Sequence, residues 1–214
     1  MKSFDWSDIQ FKIPSNIILA GPSGSGKTTF LLKLLQHANK LMSPPPSQII
    51  YAYGQYSPAV PQIESMGIQT YEGVPTDEDL QNKQGTLLIM DDLLTNVSED
   101  YLATLFSKKT HHLGICLIFV TQGLFDKKMK FCRSQAHYVI LMKAFSAQLG
   151  VRNFGQQNFA HQLPFFMDSY RLATKDNFGY LVVDMSPTCP QELRLRTNIF
   201  PEETVTVFTP RVQV

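Results

Sequence analysis

The chain has 214 residues, 43% of them hydrophobic, and its 19 basic and 18 acidic side chains leave a formal charge of +1. That apolar content fills the core of one full domain, and the charge balance excludes a global field that would drive the protein onto nucleic acid or a membrane. Cys116, Cys132 and Cys189 are odd in number, widely separated and without CxxC spacing, which argues against a zinc site and for a reducing compartment.

In chain order, the segment after Met1 has no apolar h-region, and no uninterrupted apolar run approaches membrane-spanning length, so a soluble protein inside a cell is expected. The first strong pattern is Ile17-Ile18-Leu19-Ala20, then GPSGSGKTT from Gly21 to Thr29, then Phe30-Leu31-Leu32-Lys33-Leu34-Leu35. This is a strand, a glycine-rich loop and a helix start, the context that a P-loop requires. Gly21, Gly26, Lys27 and Thr28 satisfy GxxxxGK[ST], and Gly24 adds a hinge that lets backbone N–H groups turn inward around a phosphate. Pro22, Ser23, Ser25 and Thr29 complete the loop. Lys27 is expected on the β- and γ-phosphates, and the Thr28 hydroxyl on Mg²⁺, beside the partial positive charge of the helix N-terminus. The expected ligand is a nucleoside triphosphate with Mg²⁺. Phe4, Trp6 and Phe11, at irregular spacing before the loop, either pack plainly over a sheet edge or stack near the nucleotide base.

Phe30, Leu31, Leu34, Leu35, Ala38 and Leu41 recur at helical spacing, and Ser43-Pro44-Pro45-Pro46 ends that helix. Gln48 to Tyr53 reads as a second buried strand, followed by a short helix over 60–66 and a short strand over 68–71. Thr76-Asp77-Glu78-Asp79 has capping-box form and opens a brief helix. Thr86 to Met90 is the most hydrophobic short run to this point, of the kind that a parallel strand covered on both faces shows, and it ends in Asp91-Asp92. A helix is expected from Ser98 to Gly114 with Leu102, Leu105 and Phe106 inward. Ile115 to Val120 is the next buried strand and delivers Thr121-Gln122 to its end. A basic connector with Lys127, Lys128, Lys130 and Arg133 leads to the strand Tyr138 to Met142. Beyond it, Phe145, Leu149 and Val151 are spaced as a helix face, Tyr180 to Asp184 reads as a strand, and Leu193–Asn198 and Val205–Phe208 as short terminal strands. The alternation predicts an α/β fold in one domain over 1–214, with 1–16 an N-terminal extension and 185–214 a C-terminal tail.

Such a sheet puts its strand ends on one rim, where ligands of open α/β folds sit. Asp91 is placed to hold Mg²⁺ through water, and Asp92 to orient or deprotonate the attacking water; each has the alternative of capping a loop. Gln122 is a candidate γ-phosphate sensor, with Thr121 behind it. Arg133 is a candidate for stabilising the γ-phosphoryl charge from a neighbouring subunit, against the reading of a solvated cation. The three lysines are weak evidence for DNA phosphates. His111-His112 do not share a helix face and have no acidic or Cys partner at ligand spacing, so they read as a polar helix C-terminus. There is no DxxG or NKxD of a GTPase, no arginine-rich lid of a nucleoside-monophosphate kinase and no LSGGQ.

The set GPSGSGKT, LLIMDDL, THHLGICLIFVTQGLF, the arginine-bearing connector before YVILMK, and GYLVVDMSP…LRLRTNIFP resembles the packaging ATPases of the FtsK–HerA superfamily, within it the short genome-packaging ATPases of adintoviruses and Maverick/Polinton elements, relatives of the poxvirus packaging ATPase. The likeness runs from about Ile13 to Pro201. It implies a RecA-like P-loop domain, with a mainly parallel sheet flanked by helices, in a homo-oligomeric ring expected to be a hexamer. Such a ring hydrolyses ATP to drive double-stranded DNA into a preformed capsid at its portal or vertex, in an infected host cell. Lys27 and Thr28 match the P-loop pair, Asp91 and Asp92 the Walker-B pair, Gln122 the strand-end glutamine and Arg133 a trans-acting arginine. Relatives often carry glutamate at the position of Asp92, and a Pro-Arg-Asp where Lys143-Ala144-Phe145-Ser146 stands here. The alternatives are an ATPase switch for capsid assembly and a structural nucleotide-binding module.

Overall fold

A run of apolar residues with no polar alternation can satisfy its side chains only between two covering layers, and the chain builds that arrangement. The computed structural model describes residues 5–210. The strands are β1 (Phe11–Lys12), β2 (Ser15–Ala20), β3 (Met42–Ser43), β4 (Gln48–Tyr53), β5 (Gln69–Glu72), β6 (Thr86–Asp91), β7 (Cys116–Thr121), β8 (Tyr138–Met142), β9 (Tyr180–Asp184), β10 (Leu195–Thr197) and β11 (Thr206–Phe208). The helices are α1 (Lys27–Gln36), α2 (Ala38–Leu41), α3 (Ala59–Ser65), α4 (Asp77–Leu80), α5 (Glu99–Thr104), α6 (Thr110–Leu113), α7 (Met129–Ser134), α8 (Gln148–Asn158) and α9 (Leu163–Ala173).

One nine-stranded sheet runs β11-β10-β9-β8-β2-β7-β6-β4-β5. Pairing is parallel from β8 across to β5, and antiparallel from β8 through β9 and β10 to β11. Alternate residues of each strand face opposite layers. Ile18, Leu88, Phe119 and Leu141 meet Leu102 and Phe106 on one side together with α7, α8 and α9. Ile17, Ile89, Ile118 and Ile140 meet Phe30, Leu31 and Leu34 of α1 on the other. The expected mainly parallel sheet between two helical layers is present, and β7 lies between the P-loop strand β2 and the strand that ends in Asp91. No described helix is long and apolar enough to cross a membrane.

Several local expectations are corrected. The helical run that starts at the P-loop breaks at His37 (φ −112°, ψ 12°), well before the prolines, because the imidazole turns to Glu202 (3.4 Å) and the Phe200 ring. The proline run follows β3, which pairs with β1 in a small sheet of its own. Between α5 and α6 the backbone widens into a π-turn over Leu105–Lys109, within a helical segment opened by Ser98, whose Oγ accepts from the Tyr101 N–H, and closed by Gly114 in the left-handed region. Phe145 and Leu149 are not an inward face: they are 95% and 71% exposed, while Val151 and Phe154 of α8 are buried. The basic connector is not a loop but contains α7.

The described residues beyond 184 join the sheet through β10 and β11. Arg196, wholly buried, holds this part in place: its Nη1 donates to Asp184 Oδ2 (3.2 Å) and Leu193 O (2.8 Å), and its Nη2 to Ile9 O (3.2 Å). One guanidinium thus ties β9, β10 and the N-terminal segment together.

Candidate active site

The parallel registers bring the strand ends level. Ala20 pairs with Thr121, Val120 with Asp91, and Asp91 with Tyr53. Loops after β2, β4, β6 and β7 therefore surround one cleft of about 570 Å³, a size typical of small-ligand sites. Of the residues expected at the site, Ser23, Gly24, Gly26, Lys27, Thr28 and Thr29 line it from the P-loop. Asp91, Asp92 and Gln122 line it from the ends of β6 and β7.

Gly24 and Gly26 take φ of +75° and +95°, the left-handed region that favours glycine, and a Cβ at Gly24 would meet nothing within 4 Å. The loop is thereby open at Gly24, where a phosphate oxygen can approach backbone. Gly21, Pro22 and Ser25 stand behind the lining. Gly21 packs so closely that a Cβ would fall 2.6 Å from Met142 Cβ, and the Ser25 hydroxyl is buried with no hydrogen-bond partner among the described residues. Lys27 Nζ meanwhile donates to Gly21 O (2.7 Å) and Pro22 O (3.0 Å). Burial lowers its pKa, opposed by the fields of Asp91 and Asp92.

Asp91 accepts a 2.6 Å hydrogen bond from the hydroxyl of Tyr51, a β4 residue that is 1% exposed. Burial pushes the Asp91 carboxyl up, and the Tyr51 bond pulls it back. Asp92 follows at φ +54°, a strained conformation that Asp tolerates better than most residues. Gly54 makes room for it: a Cβ there would lie 2.2 Å from Asp92 O, and Gly54 N–H donates to Asp91 O (2.9 Å). The two neighbouring carboxylates thus differ, Asp91 half-buried and anchored, Asp92 exposed in the cleft. Gln122 is likewise exposed there.

Thr28 and Asp91 are the groups that would hold Mg²⁺, which when bound neutralises phosphate charge. A hydroxyl, a carboxylate and substrate phosphates suit that ion, and the described residues hold no cluster of three or more His, Cys, Asp or Glu that would suit a dedicated metal cage. His111 packs its ring on His137 at 5.7 Å, as befits the end of a helix.

The structure does not bring Arg133 to the cleft of its own chain. Nη1 donates to Leu124 O (2.7 Å), and the guanidinium lies 4.3 Å from the Phe125 ring centroid. Lys128 is also engaged, donating to Leu94 O (3.0 Å) and Val97 O (2.8 Å), which leaves Lys127 and Lys130 as the exposed lysines of this stretch. The N-terminal aromatics pack plainly: Trp6 Nε1 donates to Lys40 O (3.0 Å), Phe11 is buried edge-on to Tyr138, and Phe4 lies outside the described residues. Sequence reasoning missed Tyr51, Tyr56 and Phe178. Tyr56 and Phe178 line the cleft at 65% and 55% exposure. The available signal for Phe178 was an aromatic at the tip of the turn Asn177-Phe178-Gly179.

Fold and site together define a P-loop α/β domain whose Walker-B-type strand is separated from the P-loop strand by one further strand. No protein family model and no curated protein matches the chain. Among solved structures it is similar to the KaiC-like protein PH0186 of the archaeon Pyrococcus horikoshii OT3, at 13% identity and TM-score 0.47 over 93% of this chain and 92% of that one. It is also similar to EccC (ATPases 2 and 3) of Thermomonospora curvata in complex with a signal sequence peptide, at 16% identity and TM-score 0.43 over 61% of this chain and 30% of that one. The class assignment rests on the chain's own strand order and loop geometry.

Proposed function

We propose that the protein is an ATPase motor of viral genome packaging, which assembles as a homo-oligomeric ring in an infected host cell and moves double-stranded DNA into a preformed capsid. The observation that carries the ATPase reading is the meeting of Lys27, Asp91, Asp92 and Gln122 around one cleft. Asp92 receives the proton of a water that attacks the γ-phosphorus, the bond from that phosphorus to the bridging oxygen breaks, and ADP leaves with that electron pair. Lys27 and Gln122 bear on the γ-phosphoryl oxygens.

A route from hydrolysis to movement is supported by the loop contacts. Gln122 leads into Gly123–Asp126, where Arg133 clasps Leu124 O, and Lys128 clasps Leu94 O and Val97 O in the segment after Asp92. The segments leaving the two sides of the reacting phosphate are both tied to α7 and the residue before it, so loss of γ-phosphate contacts can shift them together. The DNA and capsid part of the proposal rests on the motif resemblance. The engagement of Arg133 and Lys128 inside the chain favours a second reading, an ATPase switch that controls capsid assembly without translocation.

Single-turnover hydrolysis separates the roles. Lys27→Ala should abolish turnover and Asp92→Asn should retain Mg·ATP binding while losing at least about 100-fold in rate. Full activity in either variant contradicts the assignment.

A further inference from the structure

The cleft has two ends, and the sheet order tells them apart. Asp91, Asp92 and Gln122 end β6 and β7, on one side of the P-loop strand β2; β8 and β9 lie on the other. Because β9 runs antiparallel to β8, its first residue stands on the same rim where the parallel strands finish. The turn that precedes β9 carries Phe178 into the cleft there.

Phe178 has the features of a built platform. Its backbone is held at φ +61°, uncommon for an aromatic residue, and its side chain is 55% exposed although it packs on the P-loop. That packing needs glycine at 26, since a Cβ there would fall 2.5 Å from the Phe178 ring and 2.9 Å from its Cβ. The turn is tethered from beneath. Lys143 N–H donates to Gly179 O (3.0 Å) and Lys143 Nζ to Lys175 O (2.9 Å), while a Cβ at Gly179 would lie 2.6 Å from Ala173 O. An exposed aromatic held in a strained turn, with its ring against the start of α1, is costly unless something uses it.

We propose that Phe178 is the surface on which the base of the bound nucleotide stacks, and that Lys143 is a positioning residue for it. This rests on the P-loop reading above: the carboxylates and Gln122 fix the γ-phosphate end, so the nucleoside extends along the loop past Gly26 toward the opposite end. Tyr56, the other exposed aromatic of the cleft, follows β4, which lies beyond β6 on the carboxylate side of β2, away from β8 and β9. Stacking uses the π-face that every base has, so the site selects a base by area, with adenine and guanine accepted alike.

The test compares binding of Mg·ATP, Mg·GTP and Mg·tripolyphosphate, which has no base, to the full chain by calorimetry. Phe178→Ala should weaken ATP and GTP about tenfold each and leave tripolyphosphate unchanged. In a Trp6→Phe background, which removes the one native tryptophan, Phe178→Trp should bind ATP as wild type does, with fluorescence quenched by ATP and not by tripolyphosphate. Lys143→Ala, which removes the Nζ bond to Lys175 O and keeps the backbone bond to Gly179 O, should weaken ATP by less than Phe178→Ala does and leave tripolyphosphate unchanged; undiminished ATP binding by this variant removes Lys143 from the proposal. Equal losses for ATP and tripolyphosphate, or undiminished ATP binding by Phe178→Ala, overturn the proposal while leaving the P-loop reading intact. A wild-type chain that binds neither ligand overturns both.

Discussion

Replacing Tyr51 with Phe removes one oxygen and nothing else from a side chain that is 1% exposed. The lost group donates at 2.6 Å to Asp91 Oδ2, and hydrogen bonds to charged partners contribute about 1.5–3 kcal/mol. Asp91 is only partly buried, so water entering from the cleft offsets some of this, and a net loss of about 1–2 kcal/mol is expected. For a chain of this length that lowers Tm by roughly 2–8 °C. The functional effect should exceed the stability effect. Without the Tyr51 hydroxyl the Asp91 carboxylate is free to rotate and is more easily protonated, and removing a residue that orients a metal-binding carboxylate weakens metal affinity about 10–100-fold. Hydrolysis by Tyr51→Phe should therefore need that much more Mg²⁺ for half-maximal rate, with much of the rate recovered at saturating Mg²⁺. Titration of Mg²⁺ in a steady-state ATPase assay, beside calorimetry, reads both numbers. A Mg²⁺ curve that overlays the wild type, with only Tm reduced, refutes the reasoning and makes Tyr51 a packing residue.

Arg133→Ala should quicken amide exchange across Gly123–Asp126 even without nucleotide, because the clasp on Leu124 O and the Phe125 ring is lost; unchanged exchange would mean that the clasp does not hold this loop. Asp184→Ala leaves the wholly buried Arg196 charge without its carboxylate and should cost about 3–5 kcal/mol, read by denaturant unfolding; a loss below about 1 kcal/mol contradicts that account of the β9–β10 junction. Burial raises the thiols of Cys116 and Cys132 to about 12 and that of Cys189 to about 11, so at pH 8 a thiol reagent should label the native chain far more slowly than the unfolded one. Cys116 or Cys132 reacting in the native chain at the rate of free cysteine would contradict their burial.

The sheet was legible in the sequence because its central strands are short and mostly apolar: Thr86–Asp91 and Tyr138–Met142 stand where their composition puts them. The P-loop was legible for a related reason, since Gly24 and Gly26 take backbone angles that glycine favours. What escaped depends on contacts between residues far apart in the chain. Tyr51 reads as one more apolar strand residue until β4 pairs with β6 and brings its hydroxyl to Asp91. Phe178 occupies a left-handed conformation that no propensity favours, so its place in the cleft follows from the Lys143 tether and the missing Cβ of Gly26. The periodicity from Phe30 to Leu41 is continuous, yet the helix divides at His37 because Glu202 and Phe200, over 160 positions later, draw its ring aside. The intrachain bonds of Arg133, read as a trans-acting arginine or a solvated cation, and of Lys128, read weakly as a DNA contact, escaped because charge counts carry no information about backbone carbonyls that fold back to receive them.

The proposed motor couples ATP hydrolysis in this cleft to movement of DNA. The most direct measurement is steady-state ATP hydrolysis by the purified, assembled protein at low salt, with and without double-stranded DNA, beside Lys27→Ala. The account predicts turnover that rises with DNA and vanishes in the variant. Turnover indifferent to DNA contradicts the motor and leaves the assembly switch, and an assembled ring that binds ATP without hydrolysing it contradicts the enzyme altogether.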